Sequence, residues 1–325
     1  MRGLLWVSVL LMGLWSVYWF IGRTAVDRAA VGFFAMAPAQ GLEAEHKGLS
    51  VAGFPNRFDL TVTEPSLADR QTGFGWQAPF VQIFSLSYKP WHVIAAFASE
   101  QMVLTPYENL SITSEKLQAS VVVEPNANLT LDRTTLIGAG LGIASSLGWD
   151  FKAENLRFAT RQDPSRENVH QIGLDLLALT PDQSLSRLLP EMPALIEKVH
   201  LDAFLGFSAP IDRLAGQSRP ELQLLEIKEA SLGWGDLAVF AKGDLPIADG
   251  SPEGRVDLRI EGWRRLLPLI EQSGAVKAEV LPTVERMLET LAAQSGDAEV
   301  LEVPLIFAGG QMRLGPLLLG PAPRF

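Results

Sequence analysis

Four histidines are the side chains of this chain best suited to acid–base or metal chemistry. They are His46, His92, His170 and His200, and the chain contains no cysteine. No two histidines have the short spacing of paired metal ligands. The missing thiols exclude disulfides, thiolate metal sites and cysteine nucleophiles. We therefore predict no metal site and no bound cofactor, and we interpret the histidines as surface or strand-edge residues.

Sequence motifs for phosphate binding and for serine hydrolysis are not found. The glycine-rich run 138–142 is followed by Ile143, where a dinucleotide loop needs its third glycine. Residues 142–148 do not form the G-x-S-x-G turn of a hydrolase. The sequence therefore predicts a protein that is not an enzyme. A hydrolase becomes the better interpretation if His170 or His200 lies beside an acid and a serine in a cleft.

The composition indicates a folded, acidic protein. The chain has 325 residues, of which 47% are apolar, so it is long enough to bury a sizeable core. It carries 37 acidic and 27 basic residues, for a formal net charge of −10. Phosphate backbones are bound by clustered cations. We therefore expect no nucleic-acid partner.

The first 22 residues have the properties of a membrane anchor. After Arg2, no charged residue occurs in the run 3–22, and a helix of that length is about 30 Å long, the thickness of a bilayer core. The apolar part of a cleaved signal peptide is shorter, and residues 24–28 contain no suitable cleavage site. The run has aromatic residues near both ends, as membrane interfaces favour: Trp6, Trp15, Tyr18 and Trp19. We expect residues 1–22 to be an uncleaved transmembrane anchor in the inner membrane.

The charged residues that flank the run do not by themselves determine the orientation of the anchor. Arg2 lies on one side of the run, and Arg23 and Arg28 lie on the other. Long domains cross a membrane largely regardless of such charges, and the lack of cysteine is compatible with an oxidising compartment. We expect a short cytoplasmic N-terminus and a periplasmic β-rich domain over residues 23–325.

The rest of the chain has the alternating pattern of strands with one apolar and one wet face. Antiparallel sheets accommodate this pattern, so we predict a mainly β (α+β) fold with two or three short helices. The helices are expected at Leu281–Gln294, at Arg264–Gln272 and, more weakly, at Leu185–Lys198. The clearest strand segments are 57–63, 117–123, 199–207 and 255–261.

Two irregularities of the pattern lead to further expectations. Between Phe151 and Phe158 the apolar residues change from one parity to the other, which predicts a β-bulge near Glu154–Asn155. Gly-Trp pairs recur at irregular intervals along the chain, including Trp149 and Trp234 in similar contexts. These pairs have two interpretations. The chain either consists of two degenerate halves that meet near 161–168, or its tryptophans simply fill a core.

A long sheet with one apolar face must pack that face against something. The predicted helices are few, so either a second sheet covers it or the sheet curves around an apolar groove that is open to a ligand. An acyl chain is the obvious apolar ligand beside a membrane. The candidate groove residues would serve equally well as ordinary sheet core. They are Val199, Leu201, Leu205, Phe207, Val256, Leu258 and Ile260.

The anchor together with several short motifs resembles the domain-of-unknown-function family 2125. The motifs are the segments 53–60, 76–79, 88–93 and 310–316. That family has no assigned activity, so the resemblance implies an anchored envelope protein and no catalytic residue. The strand–turn–strand segment 241–258 is similar, more distantly, to AsmA-like envelope proteins. That similarity implies a curved, taco- or half-barrel-like sheet and a role in handling phospholipid.

The sequence as a whole predicts a non-enzymatic protein anchored in the inner membrane. Its curved sheet would present the apolar groove to phospholipid, fatty acid or another amphiphile, in envelope maintenance. The alternative is an envelope scaffold or assembly factor that binds other proteins and no lipid. A groove long enough for an acyl chain favours the first, and a closed core with one exposed patch or free edge favours the second.

Overall fold

A computed structural model describes residues 2–215, 218–272, 279 and 281–325 of the chain. These residues are mainly β and contain 21 strands, which pair in the antiparallel manner. With an N-terminal apolar helix and a few short helices, they confirm the predicted fold class. The chain forms two compact units. Unit 1 consists of Met1–Pro125 and Thr134–Gly148, and unit 2 of Asn126–Arg133 and Trp149–Phe325.

Unit 1 begins with the long helix α1, Arg2–Met36. This helix continues well past the predicted membrane run, which ends at residue 22. Val26, Ala30 and Phe34 recur every four residues, so they lie on one face of the helix. That face packs on an apolar cluster of the sheet around Leu60. The second part of α1 is therefore held to unit 1 by ordinary core packing.

The strands of unit 1 form two antiparallel series. In one, β2–β3–β6–β7–β10 pair in that order. In the other, β1–β4–β5–β8–β9–β11 pair in that order. A 3₁₀ turn, Ala37–Gln40, links α1 to the first strand. The strands are β1 Leu42–Glu45, β2 Gly48–Ala52, β3 Arg57–Thr63, β4 Ser66–Asp69, β5 Gly75–Gln77, β6 Phe80–Leu86, β7 Lys89–Phe97, β8 Glu100–Leu104, β9 Asn109–Thr113, β10 Lys116–Val123 and β11 Leu131–Ser145.

Unit 2 is an antiparallel meander in which β12–β13–β14–β15–β16–β18–β19–β20–β21 pair in that order. The short β17 adds to the end of β16. The predicted meeting point of two halves, near 161–168, lies in the β12–β13 connection inside this unit. The strands are β12 Asp150–Gln162, β13 Val169–Thr180, β14 Ile196–Phe207, β15 Leu222–Trp234, β16 Leu237–Ala248, β17 Ser251–Pro252, β18 Gly254–Glu261, β19 Val300–Ala308, β20 Gln311–Leu314 and β21 Leu317–Pro321.

Two of the three helical segments predicted in unit 2 are found near their predicted bounds. The predicted helix 281–294 is found as α4, Leu281–Ser295, which buries Val284 and Leu288 one turn apart. The predicted segment 264–272 is a 3₁₀ turn, Trp263–Leu266, followed by α3, Leu267–Gln272. The weak prediction at 185–198 is found only as the short α2, Gln183–Leu188, because two prolines follow it.

The β-bulge predicted in β12 is wrong. Ala153 faces Leu179 and Asn155 faces Leu177, so both strands advance by two residues and the register is unchanged. Ala178 of β13 has a φ of 52°, in the left-handed region. Neither strand therefore gains a residue, and the irregular backbone at this level is that of Ala178 in β13, opposite Glu154.

Candidate functional site

The apolar half of α1 is exposed, as expected for a segment that crosses a membrane. Its large apolar side chains from Leu4 to Ile21 are mostly exposed in the structure. Among the described residues, α1 and the turn after it form the one helical segment long and apolar enough for a membrane span. This property fits a membrane-anchored protein.

Three aromatic side chains of α1 attach it to loops of unit 1. Trp15 donates a hydrogen bond from Nε1 to the main-chain oxygen of Pro55 at 2.9 Å. The hydroxyl of Tyr18 donates to the main-chain oxygen of Ser87 at 2.5 Å. Trp19 is 4% exposed, and its ring packs on neighbouring phenylalanines. The last third of the apolar run is therefore fixed to the rest of unit 1.

One face of the unit 2 meander is apolar across successive strands. The strand register places Leu176, Val199, Leu232 and Val239 side by side in one row across β13 to β16. Helix α4 covers this end of the face, where Leu288 and other buried side chains form the main core of the unit. The apolar alternation of the sequence therefore does produce one continuous apolar face.

A second, smaller cluster covers another part of the same face. Leu245, Val256 and Phe307 are buried there, and Met312 and Ala322 pack on them. The last strands and the residues after them thus close the face between β16 and β20.

Between these clusters and β12 lies an area that we call the open apolar strip, because neither buried cluster of unit 2 includes its side chains. Its large side chains are half-buried, and Ala203, which lies between Leu201 and Leu205 on the same face of β14, is 1% exposed. Along β14 from residue 201 to 207 the strip is about 20 Å long, and across β12 to β14 it is about 10 Å wide. It is formed by Phe158, Ile172, Leu174, Leu201, Leu205 and Phe207.

The seven candidate groove residues divide between core and strip. Ile260 is buried in the main core and Val256 in the second cluster. Val199 packs on the main core, and Leu258 packs on both clusters. These four residues therefore stabilise the sheet. The other three candidates, Leu201, Leu205 and Phe207, lie on the open apolar strip.

The opposite, polar face of the meander carries an arrangement that sequence reasoning missed. His200 lies between Asp175 and Ser231 on adjacent strands, and its Nδ1 is 2.8 Å from Asp175 Oδ1. This hydrogen bond, with help from Lys198 at 3.4 Å, holds the pKa of the Asp175 carboxyl below its usual value. No hydrogen bond between Ser231 and the imidazole is found in the described part of the chain. Only the strand register shows this row, so spacing in the sequence gave no signal for it.

The remaining histidines lie elsewhere. His46 packs edge-on against Phe34 in unit 1, with ring centres 4.4 Å apart. The Nε2 of His92 is 3.0 Å from Ser120 Oγ. Within the described ranges, no group of three or more histidine and acidic side chains could hold a metal ion.

His170 lies on the apolar face of unit 2, beside Leu205. It is 3% exposed, and burial lowers the pKa of its imidazole, an effect that the nearby Asp132 opposes. Its Nδ1 is 3.4 Å from Thr160 Oγ1. The sequence-based interpretation as a surface or strand-edge histidine is wrong here, because the residue follows the inward parity of β13.

The polar face also contains a cleft with an exposed aromatic side chain. A cavity of about 580 Å³ lies between strands β15, β16, β18 and β19. Phe240, 40% exposed, is in its lining, with Lys242 and the ion-paired Arg259 beside it. Aromatic residues and arginine are enriched at protein interfaces.

Comparison with known proteins identifies a family but no relative of known function. No curated protein and no solved structure matches the chain. The family model described as "Uncharacterized protein conserved in bacteria (DUF2125)" matches residues 19–323, which includes the second half of α1 and nearly all of both units. The chain therefore belongs to the DUF2125 family.

Proposed function

We propose that α1 anchors this protein in the inner membrane and that both units lie in the periplasm. On this proposal, unit 2 binds the acyl chain of a phospholipid, a fatty acid or a similar amphiphile on the open apolar strip. No bond is made or broken, and the protein serves envelope maintenance by holding or transferring the lipid. The distant AsmA-like similarity of the sequence agrees with this role.

The open apolar strip is the observation that carries the proposal. Its side chains lie on the same apolar face of the meander as the residues covered by α4 and by the C-terminal strands. They are nevertheless not part of either buried cluster of unit 2. Contiguous apolar area that water still reaches is a common mark of a binding site, and the six large side chains of the strip are half-buried. Each methylene group of an acyl chain that is buried there would contribute about 0.8 kcal/mol.

The length of the strip also suits an acyl chain. About 20 Å of apolar surface along β14 accommodates an extended chain, whereas a small apolar molecule would fill only part of it. The polar face of the same strands remains free for water and for ion pairs such as Lys198 with Asp175.

Photocrosslinking of the full chain in detergent micelles tests the proposal. A fatty acid with a diazirine on its chain should label peptides from β13 and β14, and unlabelled phospholipid should compete. The variant L177D is the matched control, because Leu177 is exposed on the polar side of β13 and its replacement should leave labelling unchanged. Labelling confined to α1 would reject the strip as the binding site.

An envelope scaffold is the second candidate function, and the cleft around Phe240 favours it. A photoreactive amino acid in place of Phe240 should then crosslink to one discrete envelope protein in cells. Crosslinking there, with no lipid on the strip, would support the scaffold.

A further inference from the structure

Two loops of unit 1 lie at the level of the apolar run of α1. They are residues 53–56, between β2 and β3, and residues 87–88, between β6 and β7, and we call them the anchor loops. Their main-chain oxygens accept the hydrogen bonds from Trp15 and Tyr18.

The depth of these contacts follows from helix geometry. The uncharged run ends before Arg23, and Trp15 is seven residues inside the end of that run. At 1.5 Å per residue, the hydrogen bond to Pro55 is about 10 Å inside the end of the run. A span of about 20 residues is needed for the hydrocarbon core. The anchor loops must therefore reach into the membrane whenever the run 3–22 crosses it.

Several main-chain groups of the anchor loops are already hydrogen-bonded within the protein. Main-chain groups in a membrane must be hydrogen-bonded within the protein. The oxygen of Asn56 accepts from both the main-chain nitrogen and the side chain of Ser87, and Ser87 is fully buried. Pro55 has no N–H group to satisfy, and its oxygen is bonded to Trp15.

The outer surface of these loops is aromatic. Phe54 is 55% exposed, Tyr88 is 60% exposed and Phe20 of α1 is 55% exposed. The rings of Phe20 and Phe54 stack with their centres 6.2 Å apart. Aromatic side chains of this kind are favoured at the membrane–water interface. Lys89 and Arg57 directly follow the two loops in the sequence. At the level of the headgroups, their charges would lie near lipid phosphates.

We propose that the anchor loops are a second membrane-contact site, inserted into the leaflet next to the unit, with Phe54 and Tyr88 at the boundary between headgroups and acyl chains. This inference rests on the proposed anchoring by α1. With the anchor loops inserted, unit 1 would lie directly on the lipid surface and would not be a domain tethered by a flexible stalk. The partner is the lipid bilayer itself.

Fluorescence depth measurements test this proposal, and the lack of native cysteine makes single-cysteine labelling direct. The variants F54C and Y88C replace side chains that are more than half exposed, and Y88C leaves the packing of Phe54 on Trp19 intact. T63C is the matched control, because Thr63 is exposed at the other end of β3, about 20 Å from residue 57. L10C reports on the anchor, since Leu10 lies in the middle of the apolar run.

Each full-length variant is labelled with an environment-sensitive fluorophore in vesicles of phosphatidylethanolamine and phosphatidylglycerol. Lipids with spin labels near the headgroup should quench the labels of F54C and Y88C several-fold more strongly than that of T63C. Deep spin labels should quench L10C. If the label of L10C is quenched while those of F54C and Y88C behave like that of T63C, the anchor-loop proposal is overturned. The proposal that α1 anchors the protein in the membrane is then still supported. If L10C is not quenched, the anchoring proposal fails and this inference fails with it.

Discussion

Trp19 donates a hydrogen bond from its indole Nε1 to the main-chain oxygen of Arg57 at 2.8 Å, although 38 residues separate them in the chain. The contact joins the apolar run of α1 to the first residue of β3. The packing on one side of Gly22 is so close that an added Cβ would lie 2.3 Å from the Phe58 ring. The apolar run of α1 and the strands of unit 1 therefore form one packed structure at this point.

Replacing this tryptophan should destabilise unit 1. W19A removes a buried ring and its hydrogen bond, and large-to-small changes of this kind cost about 3–5 kcal/mol. Chemical unfolding of the full chain in detergent micelles measures the loss. W6A is the matched control, because Trp6 is 71% exposed and should be replaceable at little cost. Equal stability of the two variants would contradict the packing of α1 on unit 1.

The row of Asp175, His200 and Ser231 should be a structural hydrogen-bonded pair with a neighbouring serine. The imidazole of His200 is hydrogen-bonded to the carboxylate of Asp175, but Ser231 lies on an open sheet face. A fluorophosphonate probe, which reacts with activated serines, should therefore not label the protein. Labelling that is lost in both S231A and H200A would show an activated serine and would restore the hydrolase interpretation.

Burial of His170 should make the stability of unit 2 depend on pH. The pKa of its imidazole is lowered in the folded state, so the unfolded chain binds a proton more readily. The neutral imidazole contributes fully to the free energy of unfolding when the pH is above about 6.5, the pKa of the imidazole in the unfolded chain. This contribution is lost as the pH falls below that pKa. The wild type should lose up to about 1.4 kcal/mol of unfolding free energy per pH unit relative to H170Q.

Unfolding midpoints in urea between pH 8 and pH 5 measure this difference. The wild-type curve should fall below that of H170Q as the solution becomes acidic. Parallel curves over the whole range would show that His170 titrates normally in the folded protein.

Local patterns predicted most of the secondary structure. The alternation in 57–63 and 255–261 identified β3 and β18, and the spacing of Val284 and Leu288 identified α4. The full length of α1 was missed because Arg23, Asp27 and Arg28 end the uncharged run. The four-residue spacing from Val26 to Phe34 was the available signal for the continuing helix.

Features that depend on strand pairing were beyond local patterns. The parity change around Asn155 correctly marked an irregular place, but only the register shows that no residue is inserted and that Ala178, with its left-handed backbone, lies opposite. The same holds for the site. Leu201 and Ile260 have identical sequence patterns, and only the position of α4 makes one of them half-buried and the other core.

Native mass spectrometry of the full chain released from detergent micelles tests the central claim, lipid binding on the open apolar strip, most directly. The wild type should carry one phospholipid or fatty acid, and this mass should be lost in L201D and L205D while L177D retains it. Near-identical circular dichroism of all four proteins would show that the loss does not come from unfolding. A well-folded wild type without lipid, or lipid retained in both L201D and L205D, would contradict the proposed function.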